Sequence, residues 1–191
     1  MTEPPESAIR TAPPAPNGDA NRAADARSAR SSLDSICGEI PIRIARDGTW
    51  FYHGSPIGRK PLVRLFASVL RRRDDGAYWL VTPVERGTIE VEDAPFVAVL
   101  CDVEGAGRAQ RLRFTTNLDE SVLAGADHPI RIAGDAESPA PYLLVRPGLE
   151  ARIARSVYYQ LAELAVEGPH QGRDSFGVWS DGVFFPLAPA G

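Results

Sequence analysis

Residues His53-Gly54-Ser55-Pro56-Ile57-Gly58-Arg59-Lys60 bring together an imidazole, a hydroxyl, two glycines and two cations. Pro61 follows and suits the first turn of a helix, where its missing N–H is no loss. A helix start presents unpaired N–H groups and the positive end of the backbone dipole. Glycine lets the main chain approach a ligand closely, and Ser55, Arg59 and Lys60 add donors. The chemistry such a segment suits is the holding of a phosphate or carboxylate. It is not a nucleoside-triphosphate P-loop. The gap between Gly54 and Gly58 is one residue short, Arg59 precedes the lysine, and Pro61 replaces the metal-binding hydroxyl. The competing reading is a Gly/Pro loop with solvated basic side chains. The two readings are near balance, and Lys60 adds a little weight to an anion site, because it is the single lysine among 21 basic residues and supplies a compact point charge.

Acids gather at Glu85, Glu90, Glu92 and Asp93. A carboxylate acting as general base needs burial to raise its pKa. Glu90 and Glu92 alternate with Ile89 and Val91, so they turn away from the apolar face and read as a solvated strand face or as partners for Arg59 and Arg86. Trp50, Tyr52 and Trp179 lie beside turns, where they pack the core or wall a pocket. Asn117 follows Thr116 and reads as a turn cap. His53, His128 and His170 lack metal-ligand spacing, Cys37 and Cys101 stand far from any other thiol, and no nucleophile elbow is present. Neither a catalytic residue, a metal ligand nor a cofactor motif is assigned.

The elements that must position these groups are mostly of period two. Ile40, Ile42 and Ile44 alternate as a half-buried strand, Asp47-Gly48 signals a hairpin, and Trp50-Phe51-Tyr52 returns. Leu62, Leu65, Phe66, Val69 and Leu70 define one apolar face of a helix over 61–72. A second hairpin over 78–84 and 88–92 turns at Glu85-Arg86-Gly87. Residues 96–103 and 112–116 read as strands. They precede a strand at 130–133, a strand at 142–146, a helix over 149–166 and a closing hairpin at 176–180 and 183–187. Pro-Ile-Arg-Ile-Ala occurs at 41–45 and again at 129–133. Both halves then run strand, strand, helix, strand, strand, which points to an α+β fold made by internal duplication, with two extra strands before the second copy.

Residues 1–32 hold eight alanines, five prolines and no aromatic residue, and read as a disordered tail. The folding unit divides into an N-terminal α+β domain at 33–94 and a C-terminal domain at 95–191. The tail's four acids balance its four arginines, so the folded part carries the whole net charge of -4. That argues against a nucleic-acid polymer as partner. No run is long and apolar enough for a membrane span, no export signal is present, and the expected location is cytoplasmic.

The segments Gly38–Ile44, Asp47–Trp50, His53–Ile57, Val91–Phe96 and Phe176–Ser180 resemble a bacterial family of uncharacterised proteins, domain-of-unknown-function family 1285. The resemblance spans about residues 33–188. It implies a duplicated two-domain α+β core whose C-terminal half is superficially pleckstrin-homology-like. It also implies a small nucleotide-like ligand between the halves and a role in signalling, and it carries over no catalytic residue. The expectation is a non-enzymatic module for a small anionic, nucleotide-like molecule. His53, Gly54, Ser55, Arg59 and Lys60 would hold the charge, Tyr52 or Trp179 would stack on a ring, and Glu92 and Asp93 would lie close by. Two alternatives stand beside it. One is an enzyme acting on a phosphorylated or acyl substrate, with Glu92, Asp93 or His53 as base. The other is a protein-interaction scaffold docking through a sheet edge.

Overall fold

A computed structural model of the chain describes residues 37–134, 139–170 and 172–189. The expected tail at 1–32 lies outside the described residues. The N-terminal half supplies β1 (Cys37–Ile44), β2 (Trp50–Tyr52), β3 (Ser55–Pro56), α1 (Lys60–Ser68), β4 (Leu70–Arg72), β5 (Tyr78–Val81) and β6 (Arg86–Val91). The C-terminal half supplies β7 (Phe96–Glu104), β8 (Arg111–Thr116), β9 (Ser121–Leu123), β10 (Ile130–Ala133), β11 (Ala140–Arg146) and β12 (Leu149–Ile153). It continues through α2 (Arg155–Glu163), β13 (Val166–His170), β14 (Arg173–Ser180) and β15 (Val183–Pro189). Strands dominate the two curled six-stranded sheets, so the α+β expectation holds only coarsely: among the described residues there are two α-helices.

The first sheet runs β3-β2-β1-β6-β5-β4 and the second, read from its β9 edge, β9-β8-β7-β12-β11-β10. These are one order. In each, two antiparallel three-stranded meanders join along a central parallel pair, β1 with β6 and β7 with β12. The two sheets therefore correspond strand for strand from β1 and β7. The repeat expected from Pro-Ile-Arg-Ile-Ala starts at the wrong place. Pro41 to Ala45 lies along and just past β1, but Pro129 to Ala133 leads into β10, whose counterpart is β4. The strands at 96–103 and 112–116 are not extras before a second copy; they open it.

Alternation fills the core as expected on β1, where Ile42 and Ile44 are buried. Pro41, which has no N–H to give, sits where the β1–β6 register shifts between Glu39 and Arg43. Gly87 answers a close approach in the same pair, for a Cβ there would stand 2.6 Å from the Gly38 carbonyl oxygen.

Both helices are shorter than their apolar spacing suggests. α1 ends at Ser68, and Leu70 to Arg72 pair with Leu80, Trp79 and Tyr78. Its buried face is Val63 and Ala67, with Leu65 left 61 % exposed. Residues 149–153 are strand, with Leu149, Ala151 and Ile153 buried in turn. Leu149 and Ile153 are four apart, a spacing that lies on one face of a helix and equally on one face of a strand. The second expected hairpin turns earlier, at Thr82–Glu85, where Thr82 Oγ1 and the Glu85 backbone bond in both directions.

One continuous core runs through both sheets. Trp50 (2 % exposed), Phe96 and Phe114 (both 0 %) are among its largest members. Full burial of a large apolar side chain stabilises by roughly 1.5–3 kcal/mol. Asn117 couples the halves: its Nδ2 donates to the Gly48 carbonyl at 3.1 Å, and its Oδ1 accepts from the Val97 N–H at 3.1 Å. The β13–β15 sheet is fastened by Ser180, whose hydroxyl accepts from the Leu112 N–H and donates to the Ala124 carbonyl.

Candidate functional site

The 53–60 segment folds as a hairpin and a helix start. His53 (φ 47°) and Gly54 (φ 78°) form a two-residue turn between Tyr52 and Ser55, which pair across β2 and β3. The Tyr52 and His53 rings meet edge to face at 4.4 Å. His53, Gly54, Ser55 and Arg59 are exposed. Lys60 Nζ donates to Asp119 Oδ1 at 2.6 Å, and Arg64 pairs with the same carboxylate. Asp119 lies in the β8–β9 turn, so the lone lysine joins the two halves.

Glu92 and Asp93 occupy the link between the two large sheets. Glu92 pairs with the Arg43 guanidinium and accepts the Arg46 N–H at 3.0 Å. Asp93 accepts from the Tyr142 hydroxyl at 2.6 Å and from Arg152 Nη1 at 2.5 Å. Burial pushes the Asp93 carboxyl up, but the Tyr142 and Arg152 bonds outweigh it and hold the pKa below its ordinary value. The Tyr142 phenol is pushed the other way, by burial and by the Asp93 carboxylate. Asp93 is thus a charged, engaged anchor rather than a base with a raised pKa. Trp179 lies on β14, with its ring against Phe184 and under the Arg108 guanidinium at 4.7 Å. The nine expected residues are spread over the β2–β3 hairpin, the start of α1, the inter-sheet link and β14. Cys101 is buried, which raises its thiol pKa to about 12 and keeps it from being a nucleophile. Among the described residues no group of three His, Cys, Asp or Glu side chains could hold a metal ion.

A cleft of about 430 Å³ opens where β12 passes into α2. Pro139, Pro141, Arg152, Arg155, Tyr158 and Tyr159 line it. Arg152 reaches Asp93 from its wall, and both pKa shifts describe an ionised pair. Arg155 is exposed and lies over the Tyr159 ring at 5.9 Å. Among the described residues, Arg152 is paired with Asp93 while Arg155 has no ion-pair partner, and both stand beside two phenols. A planar guanidinium is a matching donor for phosphate or carboxylate oxygens, and the tyrosines offer faces for a ring.

Family models match both halves: the N-terminal domain of DUF1285, a domain of unknown function, over residues 34–94, and its C-terminal domain over 95–187. The chain belongs to the DUF1285 family. A crystal structure of a DUF1285 protein from Silicibacter pomeroyi DSS-3 is 52 % identical, covers 80 % of this chain and 82 % of its own, and superposes with a TM-score of 0.72. A DUF1285 protein from Shewanella baltica OS155 is 30 % identical, covers 64 % of this chain and 91 % of its own, with a TM-score of 0.51. No curated protein matches. Among the described residues of this DUF1285 chain, no helix is long and apolar enough to cross a membrane.

Arg155, Tyr158 and Tyr159 carry no sequence motif, and one long helix over 149–166 hides them. Reading Leu149, Ala151 and Ile153 as a strand would have placed Arg152 and Arg155 on either side of a strand-to-helix junction.

Proposed function

We propose that the protein is a non-enzymatic binding module for a small anionic, nucleotide-like ligand, held in the Arg152–Arg155–Tyr158–Tyr159 cleft, and that it serves in signal transduction. The observation that carries this reading is the cleft itself, where arginines and tyrosines surround a space within the roughly 300–1,000 Å³ range of small-molecule sites. Arg155 would meet the anionic group and Tyr159 the ring. Arg152 lines the cleft and also holds Asp93, in the link between the two large sheets. A ligand that draws on Arg152 competes with Asp93, which gives occupancy a route to the other half. The same proposal includes the pleckstrin-homology-like character of the C-terminal half, supported by a curled sheet with α2 bonded to β7 through Gln160 Nε2 and the Cys101 carbonyl.

Calorimetric titration of the full chain with AMP and with phenyl phosphate tests the reading. Both are expected to bind saturably, and Arg155→Ala to weaken binding by at least about tenfold, or ~1.4 kcal/mol. Arg59→Ala should bind as the wild type does. Failure of both probes to bind, or wild-type affinity in Arg155→Ala, would overturn the site.

A further inference from the structure

The N-terminal sheet has a hollow of different chemistry. It measures about 380 Å³ and lies between β1, β2, β5 and α1. Ile40, Ile42, Phe66, Val69 and Leu80 make its apolar lining. Ile42 and Leu80 are buried core residues, and Phe66 stacks on Trp50 at 6.4 Å, so the floor is built on the packed interior. The polar groups that line it are Tyr52, Thr82, Glu39 and Glu85. Thr82 is occupied by its turn with Glu85. The Glu39 and Glu85 carboxylates are exposed and have no ion-pair partner among the described residues. Arg86, next to Glu85, is engaged in an interaction of its own. Glu92, Asp93, Glu120 and Glu150 have arginine partners (Arg43, Arg152, Arg146 and Arg131), whereas Glu39 and Glu85 have none among the described residues.

We propose that this hollow binds a small organic cation: an ammonium group drawn to the Glu39 and Glu85 carboxylates, with an apolar tail against Phe66, Val69 and Leu80. Charge selects the occupant. An apolar hollow whose lining carries two carboxylates without an ion-pair partner among the described residues repels an anion of the same shape and attracts a cation. Size limits it, since a volume of about 380 Å³ lies at the lower end of small-molecule sites. The floor supplies affinity by burial of apolar area, and the rim supplies discrimination. The site shares no lining residue with the Arg155 cleft, so neither depends on the other.

The test is a three-way titration of the full chain with heptylammonium, heptanol and heptanoate, followed by amide shifts in 1H–15N spectra. Heptylammonium should bind saturably, shift residues 40–42, 66–69 and 80–85, and bind at least tenfold more tightly than heptanoate. The preference should shrink as salt is raised, because both carboxylates are exposed. The double variant Glu39→Gln, Glu85→Gln should lose at least fivefold in heptylammonium affinity, keep its melting temperature and bind phenyl phosphate as the wild type does. The proposal fails if heptylammonium does not saturate, if heptanoate binds as tightly, or if the double variant retains wild-type affinity. Loss of phenyl phosphate binding in Arg155→Ala with heptylammonium binding unchanged would support this site separately from the cleft.

Discussion

In the first large sheet the β3-to-β4 connection carries α1 back to the core, and Val63 and Ala67 become buried. In the second sheet the corresponding β9-to-β10 connection, residues 124–129, holds no helix, and α2 arrives only after β12. The same strand order thus creates two surroundings. Over the first sheet, α1 borders an apolar hollow whose lining also includes Glu39 and Glu85. At the end of the second, the strand-to-helix junction leaves a cleft of arginines and tyrosines. A shared backbone order does not decide the chemistry; the placement of one helix does.

Core truncation tests most strongly whether these halves form one body. Trp50 in the first half and Phe114 in the second belong to one continuous buried cluster. Trp50→Ala and Phe114→Ala should each cost about 3–5 kcal/mol. In denaturant melts followed by circular dichroism, both should move a single shared transition. A second transition in either variant would separate the halves.

The pH dependence of the link is the next effect in size. The folded pKa of Asp93 lies below its unfolded value, so the fold binds this proton less readily than the unfolded chain. Its contribution is therefore complete above the unfolded pKa and is lost as pH falls through the folded one. Melting temperatures taken from about pH 6 down to about pH 3 should fall less steeply for Asp93→Asn than for the wild type. Parallel curves would show that Asp93 and Arg152 do not couple the link to the second sheet.

Lys60 gives the smallest expected change. Its ammonium is about half exposed, and Arg64 holds Asp119 as well. Lys60→Ala should cost less than ~1 kcal/mol, measured by the same melts. A larger loss would make this one pair a main join between the halves.

Much of the architecture was legible in local pattern. Alternation at Ile40, Ile42 and Ile44, and the Asp-Gly turns at 47–48 and 181–182, located strands and hairpins correctly. Two features were not legible, for physical reasons. Leu149 and Ile153 satisfy both a helix and a strand, and Leu70 extends α1's apolar period although it begins β4. The phase of the repeat depends on the parallel pairs β1–β6 and β7–β12, whose partners are far apart in sequence and carry no turn signal. The Pro-Ile-Arg-Ile-Ala identity therefore pointed to noncorresponding strands. The candidate cleft is hidden by the same ambiguity, because the apolar spacing over 149–166 reads as one helix across β12 and α2. Lys60, conspicuous by composition, proved to be an ion-pair partner of Asp119.

Amide-shift mapping of the full chain titrated with phenyl phosphate tests the central claim most directly. The account predicts saturable amide shifts confined to the cleft, at Ala140 and residues 152–159, with residues 53–60 unmoved. Shifts centred on 53–60, or no saturable shift at 152–159, would contradict it.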